Sequence, residues 1–125
     1  MKTIDIHPIS KPRMTRADRW KKRKCVVLYW QWKDRFSALV RDAFGVLPKD
    51  PEIVSWTAFF QFPKSWSKKK REQHMGKPHR YKPGRDNVDK AILDSLFEDD
   101  SCIYAGKLVK LWDDGKGPRI ELEIF

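Results

Sequence analysis

Residues 53–62 alternate with a period of two. Val54, Trp56, Ala58, Phe60 and Phe62 fall on one side, and Ile53, Ser55, Thr57, Phe59 and Gln61 on the other. A run this regular is a strand, and its aromatic-rich side has to be covered. The cover is upstream, where Trp32, Phe36, Leu39, Val40 and Ala43 recur at the three-and-four spacing of one helical face. Gly45 and Pro48 end that face in the way a helix ends, with glycine at the cap and proline just beyond. The preceding Cys-Val-Val-Leu-Tyr-Trp has strand propensity of its own, but residues 26–44 read best as one amphipathic helix with an open start. A strand covered by such a helix commits the chain to a layered domain.

The other elements are shorter. Residues 2–7 form a brief strand with Ile4 and Ile6 on one side. Residues 8–24, with Pro8 and Pro12 and no apolar period, form a loop. Residues 63–85 also lack periodicity and read as a long basic loop, a kind of segment that is usually functional or disordered. Asp86 to Phe97 forms a second helix, with Asp86 at the N-cap, Asp89 completing a capping-box-like pair, and a buried stripe of Val88, Ala91, Ile92, Ser95 and Leu96. Residues 102–112 and 119–125 are strands joined by Asp113-Asp114-Gly115-Lys116-Gly117-Pro118. The order is β-α-β-α-β-β, a single α+β domain spanning 1–125, with two helices packed on a mixed sheet.

A chain of 125 residues fits one domain and buries roughly two-thirds of its unfolded surface without disulfides. Cys25 and Cys102 have no metal or redox spacing and are expected to be free, partly buried thiols. No apolar run approaches the ~18 residues of a membrane span. The opening Met-Lys-Thr-Ile-Asp has no signal-peptide h-region, so the expected location is the cytoplasm. There is no phosphate-cradling glycine loop, no HExxH, and no paired spacing among His7, His74 and His79; no organic cofactor is expected.

Charge is segregated. Residues 1–24 hold nine basic and two acidic side chains, and residues 63–85 hold nine basic and one acidic. The rest of the chain is net acidic, and six acids fall between Asp86 and Asp100. Basic segments beside an acidic patch are what a phosphodiester enzyme requires: cations gather the nucleic-acid backbone, and carboxylates hold a metal at the reacting phosphate. A protein that only binds nucleic acid has no use for acids next to its contact surface. Asp86, Lys90 and Asp94 share one helical face. Taken singly, the acids have plainer readings: Asp86 as a cap, Asp94 as the partner of Lys90, Asp99-Asp100 as a turn.

The segment Lys82-Pro83-Gly84-Arg85-Asp86-Asn87-Val88-Asp89-Lys90-Ala91-Ile92-Leu93-Asp94-Ser95-Leu96, with Asp99-Asp100-Ser101 after it, resembles the RusA family of Holliday junction resolvases, crossover junction endodeoxyribonucleases of bacteria and their phages. The family pattern is Pro-Asp-x-Asp-Asn opening a helix, a lysine one turn on, Asp-x-Leu, and Asp-Asp before a strand. The resemblance extends weakly to Ser10-Lys11-Pro12-Arg13 and the terminal hairpin. It implies a small homodimeric α+β endonuclease that nicks four-way DNA junctions in recombination and repair with Mg²⁺, or with Mn²⁺ in its place. Asp86 matches the family's second aspartate, Lys90 its active-site lysine and Asp100 its downstream aspartate. The implied catalytic set is therefore Asp86, Lys90 and Asp100, with Asp86 and Asp100 on the metal. Gly84 stands where the first aspartate belongs, and a glycine brings no side-chain ligand. The alternative is a branched-DNA-binding protein weakened or inactive in cleavage.

The expected DNA contacts are Lys11, Arg13, Arg16 and Arg19 in the first basic block, and Lys64, Lys68, Lys69, Lys70, Arg71, Lys82 and Arg85 in the second. Trp66, set inside the second block, either stacks on an unpaired base or folds back onto the core. His79 is expected to be an exposed loop histidine, with a lesser reading in which it substitutes for the missing carboxylate; His79 and Asp89 are next in line should the site use other ligands.

Overall fold

The computed structural model describes residues 1–125. In chain order it contains β1 (Lys2–Ile4), a 3-10 turn (Arg16–Arg19), α1 (Lys24–Phe44), β2 (Val54–Phe60), α2 (Lys68–His74), α3 (Arg85–Leu96), β3 (Leu108–Trp112) and β4 (Arg119–Ile124). The strands form one mixed sheet in the spatial order β1-β4-β2-β3. β4 lies antiparallel to both β1 and β2, and β3 runs parallel to β2. Parallel neighbours need a long crossover, and here it carries α2 and α3. The expected α+β class and element order hold, with one short helix added.

Register explains the core. Trp56 sits opposite Leu122 and Leu108, Ala58 opposite Ile120 and Lys110, and Phe60 opposite Trp112. That face of the sheet is covered by Tyr29, Trp32, Phe36 and Val40 of α1 and by Val88, Ala91, Ile92 and Leu96 of α3. Trp32 stacks on Phe36 at 4.7 Å, and its Nε1 donates to the His7 carbonyl at 2.7 Å, so the buried indole keeps its polar edge satisfied. In α3, Leu93 is buried as well, and Ser95 is half-buried with its hydroxyl donating to the Ala91 carbonyl.

Three local expectations change. The basic stretch 63–85 is not all loop, because Ser67 caps α2 by accepting the Lys70 N–H, and Lys, Arg, Glu and Gln are good helix formers. Nothing in α2 is buried, so it shows no apolar period in the sequence. The strand expected from 102 begins only at Leu108: the Ser55 hydroxyl takes the Lys107 N–H, and a Cβ at Gly106 would lie 2.0 Å from the Val54 carbonyl oxygen. Such close backbone approach is open to glycine alone. Cys25 and Cys102 are exposed rather than partly buried, because their segments run along the surface.

Candidate active site

α3 carries the acidic motif, and its entry sets the geometry. Gly84, not Asp86, is the N-cap, with φ −67° and ψ 154°; its carbonyl accepts the N–H groups of Asn87 and Val88. Asp86 therefore lies in the first helical turn, where the partial positive charge of the helix start favours a carboxylate. The loop before it is fastened by Lys110, whose Nζ donates to the carbonyls of Tyr81 and Pro83. Lys110 projects from β3 beneath this loop, and burial lowers its pKa.

The capping-box pair of Asp86 and Asp89 does not form. Asp89 Oδ1 instead accepts from Trp56 Nε1 at 2.9 Å, which ties the helix to the central strand. Nor does Asp94 pair with Lys90. Its partner is Lys11, from the N-terminal basic block, while the Lys11 backbone N–H donates to Asn87 Oδ1 at 2.9 Å. These two contacts hold residues 11–14 over α3. Between them lies a cleft of about 380 Å³ lined by Lys11, Pro12, Arg13, Met14, Asp86, Asn87 and Lys90.

The acids divide sharply by partner. Asp18 is bound by Arg23, Asp94 by Lys11 and Asp114 by Arg119, whereas Asp86, Asp89 and Asp100 have no ion-pair partner, and neither does Lys90. Half-buried Asp89 has its pKa raised, first by burial, and the charges of Asp100 and Asp86 add to that against the Trp56 hydrogen bond and Arg85. Asp99 and Asp100 also differ. Asp99 accepts the Ser101 N–H in a tight turn, which lowers its pKa, while the Asp100 carboxylate stays unengaged and exposed.

No three His, Cys, Asp or Glu side chains stand close enough to form a ready-made metal cage. Mg²⁺ does not need one: it takes one or two carboxylates and keeps waters and phosphate oxygens as its other ligands. Hard carboxylate oxygens fit that ion, and burial, with the charges of Asp100 and Asp86 added, raises Asp89 among them. Gly84 is exposed, and a Cβ built on it would sit 3.2 Å from Asp86 Oδ1, so the position faces the acids.

The cationic residues are distributed unevenly. Arg13, Arg16, Arg19, Lys64, Lys68, Lys69, Lys70, Lys82 and Arg85 are exposed. Lys11 is engaged by Asp94, and Arg71 donates to the carbonyls of Pro63, Lys64 and Trp66, so these two serve the fold. Trp66 folds back, 4.7 Å from Trp112, with Lys70 Nζ 4.4 Å above its ring. His79 is not the exposed loop histidine expected. It is 6% exposed, stacked on Phe60 at 4.1 Å, and pushed down to about 4 by burial and by Lys110.

Sequence reasoning held Asp89 only as a reserve ligand and left Asn87 and Lys110 out of the site. Asp89, three residues after Asp86, carried a legible helical-face signal; Lys110, in a distant strand, carried none. The sequence model of one protein family, described as endodeoxyribonuclease RusA, matches residues 5–125. No curated protein and no solved structure matches the chain.

Proposed function

The chain belongs to the RusA family of endodeoxyribonucleases, and from that premise we propose that it cuts four-way DNA junctions with Mg²⁺ held by Asp86 and Asp100. One observation carries this reading: Asp86 and Lys90 line a cleft walled by Lys11 and Arg13, and Asp86, Asp89 and Asp100, close enough for two of these charges to raise the pKa of the third, have no cationic partner, whereas Asp94 on the same helix is paired with Lys11. Folding gains nothing from such an arrangement; a bound divalent cation relieves it.

The chemistry follows from the residues. Mg²⁺, when bound, polarises a phosphate oxygen and lowers the pKa of a ligated water. Asp86 and Asp100 would hold it, with waters and phosphate oxygens as its other ligands, and Asp89 adds behind them the negative charge that Gly84 does not. Trp56 orients Asp89 from the sheet. Lys90, one turn after Asp86, faces the charge that develops on the phosphate as a water oxygen bonds to phosphorus and the bond to the leaving strand breaks. Arg13, Arg16, Arg19, Lys68, Lys69, Lys70, Lys82 and Arg85 contact backbone phosphates without reading bases. A homodimer presents two equivalent sites to a two-fold junction; sedimentation should give the dimer mass for the protein alone and that mass plus the junction's when DNA is added.

The test is a labelled four-way junction incubated with and without Mg²⁺. Paired nicks that need the metal support the reading; tight binding with no nicking under Mg²⁺ or Mn²⁺ replaces it with the branched-DNA-binding alternative, which Gly84 favours. Binding should weaken steeply with salt, and replacing Lys68, Lys69 and Lys70 by alanine should flatten the log–log slope by about 3. An unchanged slope removes α2 from the interface.

A further inference from the structure

The crossover between β2 and α3 builds a second concavity that the cleavage chemistry does not use. It is a pocket of about 310 Å³ with walls that include Phe60, Trp66, His79, Tyr81, Lys82 and Trp112. The rings interlock: His79 lies 4.4 Å from Trp112, Trp66 4.7 Å from Trp112, and Tyr81 5.7 Å from Trp112. Tyr81 is 53% exposed at the mouth, whereas Trp112 and His79 are 3% and 6% exposed in the wall. Trp112 Nε1 and His79 Nδ1 are buried without any hydrogen-bond partner, although buried polar groups in folded proteins are almost always satisfied. With its pKa pushed down to about 4, His79 is a neutral ring at physiological pH.

We propose that this pocket receives an unstacked base of the DNA substrate, stacked against Tyr81 and Trp66. The inference rests on the junction-cutting reading and extends it to how a base is held. Aromatic faces take any base by stacking, and a cationic surround follows the strand that carries it. The surround is present: Lys82 lines the pocket, Lys70 sits over Trp66, and residues 63–85 carry nine basic side chains against one acid. An apolar peptide would gain the stacking but meet that charge with nothing to offset it.

Position supports the same occupant. Tyr81 and Asp86 are five residues apart, at most about 18 Å of extended chain, and Lys110 pins the intervening loop through the Tyr81 and Pro83 carbonyls. A strand whose base enters the pocket passes its backbone along Lys82 toward the acids.

The experiment uses the full chain in EDTA, where binding is separated from cutting, and reads fluorescence anisotropy with three labelled DNAs. These are a fully paired four-way junction, the same junction with unpaired thymines at the crossover, and a short oligothymidylate. Wild type should bind the junction with unpaired thymines about tenfold tighter than the paired one. Tyr81→Ala should erase that preference while leaving affinity for the paired junction, and Tyr81→Phe should restore it. Tyr81 is half exposed, so its removal does not threaten the core. Equal affinity of wild type for the two junctions, or a preference that survives Tyr81→Ala, overturns the pocket and leaves the cleavage reading standing. Tyr81-dependent binding of oligothymidylate without junction binding does the reverse. Failure to bind any of the three sinks both.

Discussion

Arg119 and Asp89 lie on opposite faces of the same sheet and meet opposite electrostatic fates. Arg119 is almost fully covered, with its guanidinium 3.8 Å over the Phe59 ring; it donates to Asp114 at 2.9 and 3.0 Å and to Glu121 at 3.2 and 3.3 Å. Asp114 is correspondingly pushed down to about 2 by the Arg119 hydrogen bonds. Asp89 has only an indole N–H, and burial with the charges of Asp100 and Asp86 pushes it up. The first cluster is complete within the chain. The second has no cationic partner within the chain, and the proposed reading has a divalent cation supply it.

The largest expected break in this contrast is in the chemistry. Asp86→Asn or Asp100→Asn should cut junction nicking by a hundredfold or more, on the order of several kcal/mol of lost transition-state stabilisation. The melting temperature and junction binding should hold. Variants that nick at the parental rate would show that the metal is held elsewhere.

Next comes the structural cluster. Asp114→Asn leaves the covered Arg119 guanidinium with Glu121 as its one charged partner beside the Gly117 carbonyl and should cost roughly 1–3 kcal/mol of folding stability, read by urea denaturation. Nicking per folded molecule should be unchanged. A stability loss as large in Asp86→Asn would erase the distinction between the faces.

The two faces should also titrate in opposite directions without metal. Asp114's folded pKa is depressed from 3.8 to about 2, so its stabilisation is present above 3.8 and is lost as pH falls toward 2. Asp89's folded pKa is raised, so protonation favours the folded state, and its contribution becomes more favourable as pH falls toward 3.8. Asp89→Asn keeps an acceptor for Trp56 and removes the repulsion. It should stabilise the metal-free protein at neutral pH and lose the extra stabilisation that Mg²⁺ confers on the parent. Equal melting shifts with Mg²⁺ in both would exclude Asp89 from the metal site.

The smallest effect sharpens the comparison at Gly84. Its extended backbone suits aspartate once the Asp86 carboxylate, 3.2 Å from the new Cβ, shifts slightly, and aspartate is the better N-cap by a few tenths of a kcal/mol. A new carboxylate beside Asp86 Oδ1 offsets that gain without metal and reverses with it. Gly84→Asp should therefore leave metal-free stability within about 0.5 kcal/mol while lowering the Mg²⁺ needed for half-maximal nicking. An unchanged Mg²⁺ requirement would mean that Asp89 already fills the role.

Much of this architecture was determined by the sequence itself. The period-two run around Trp56 and the stripes of Trp32–Phe36–Val40 and Val88–Ile92–Leu96 are local patterns, and burial of one face follows from them whatever their neighbours. Asp86, Lys90 and Asp100 were singled out by the resemblance to a family motif, since each acid alone reads as a cap or a turn. What tertiary structure alone decided involves partners far apart in the chain: Lys11 rather than Lys90 for Asp94, Trp56 for Asp89, Lys110 under the loop that starts α3, and His79 drawn into the rings of Phe60 and Trp112. Helix α2 escaped detection because a helix with no buried face leaves no period. An acid's partner depends on which distant cation the sheet register brings to it, and no local spacing encodes that distance.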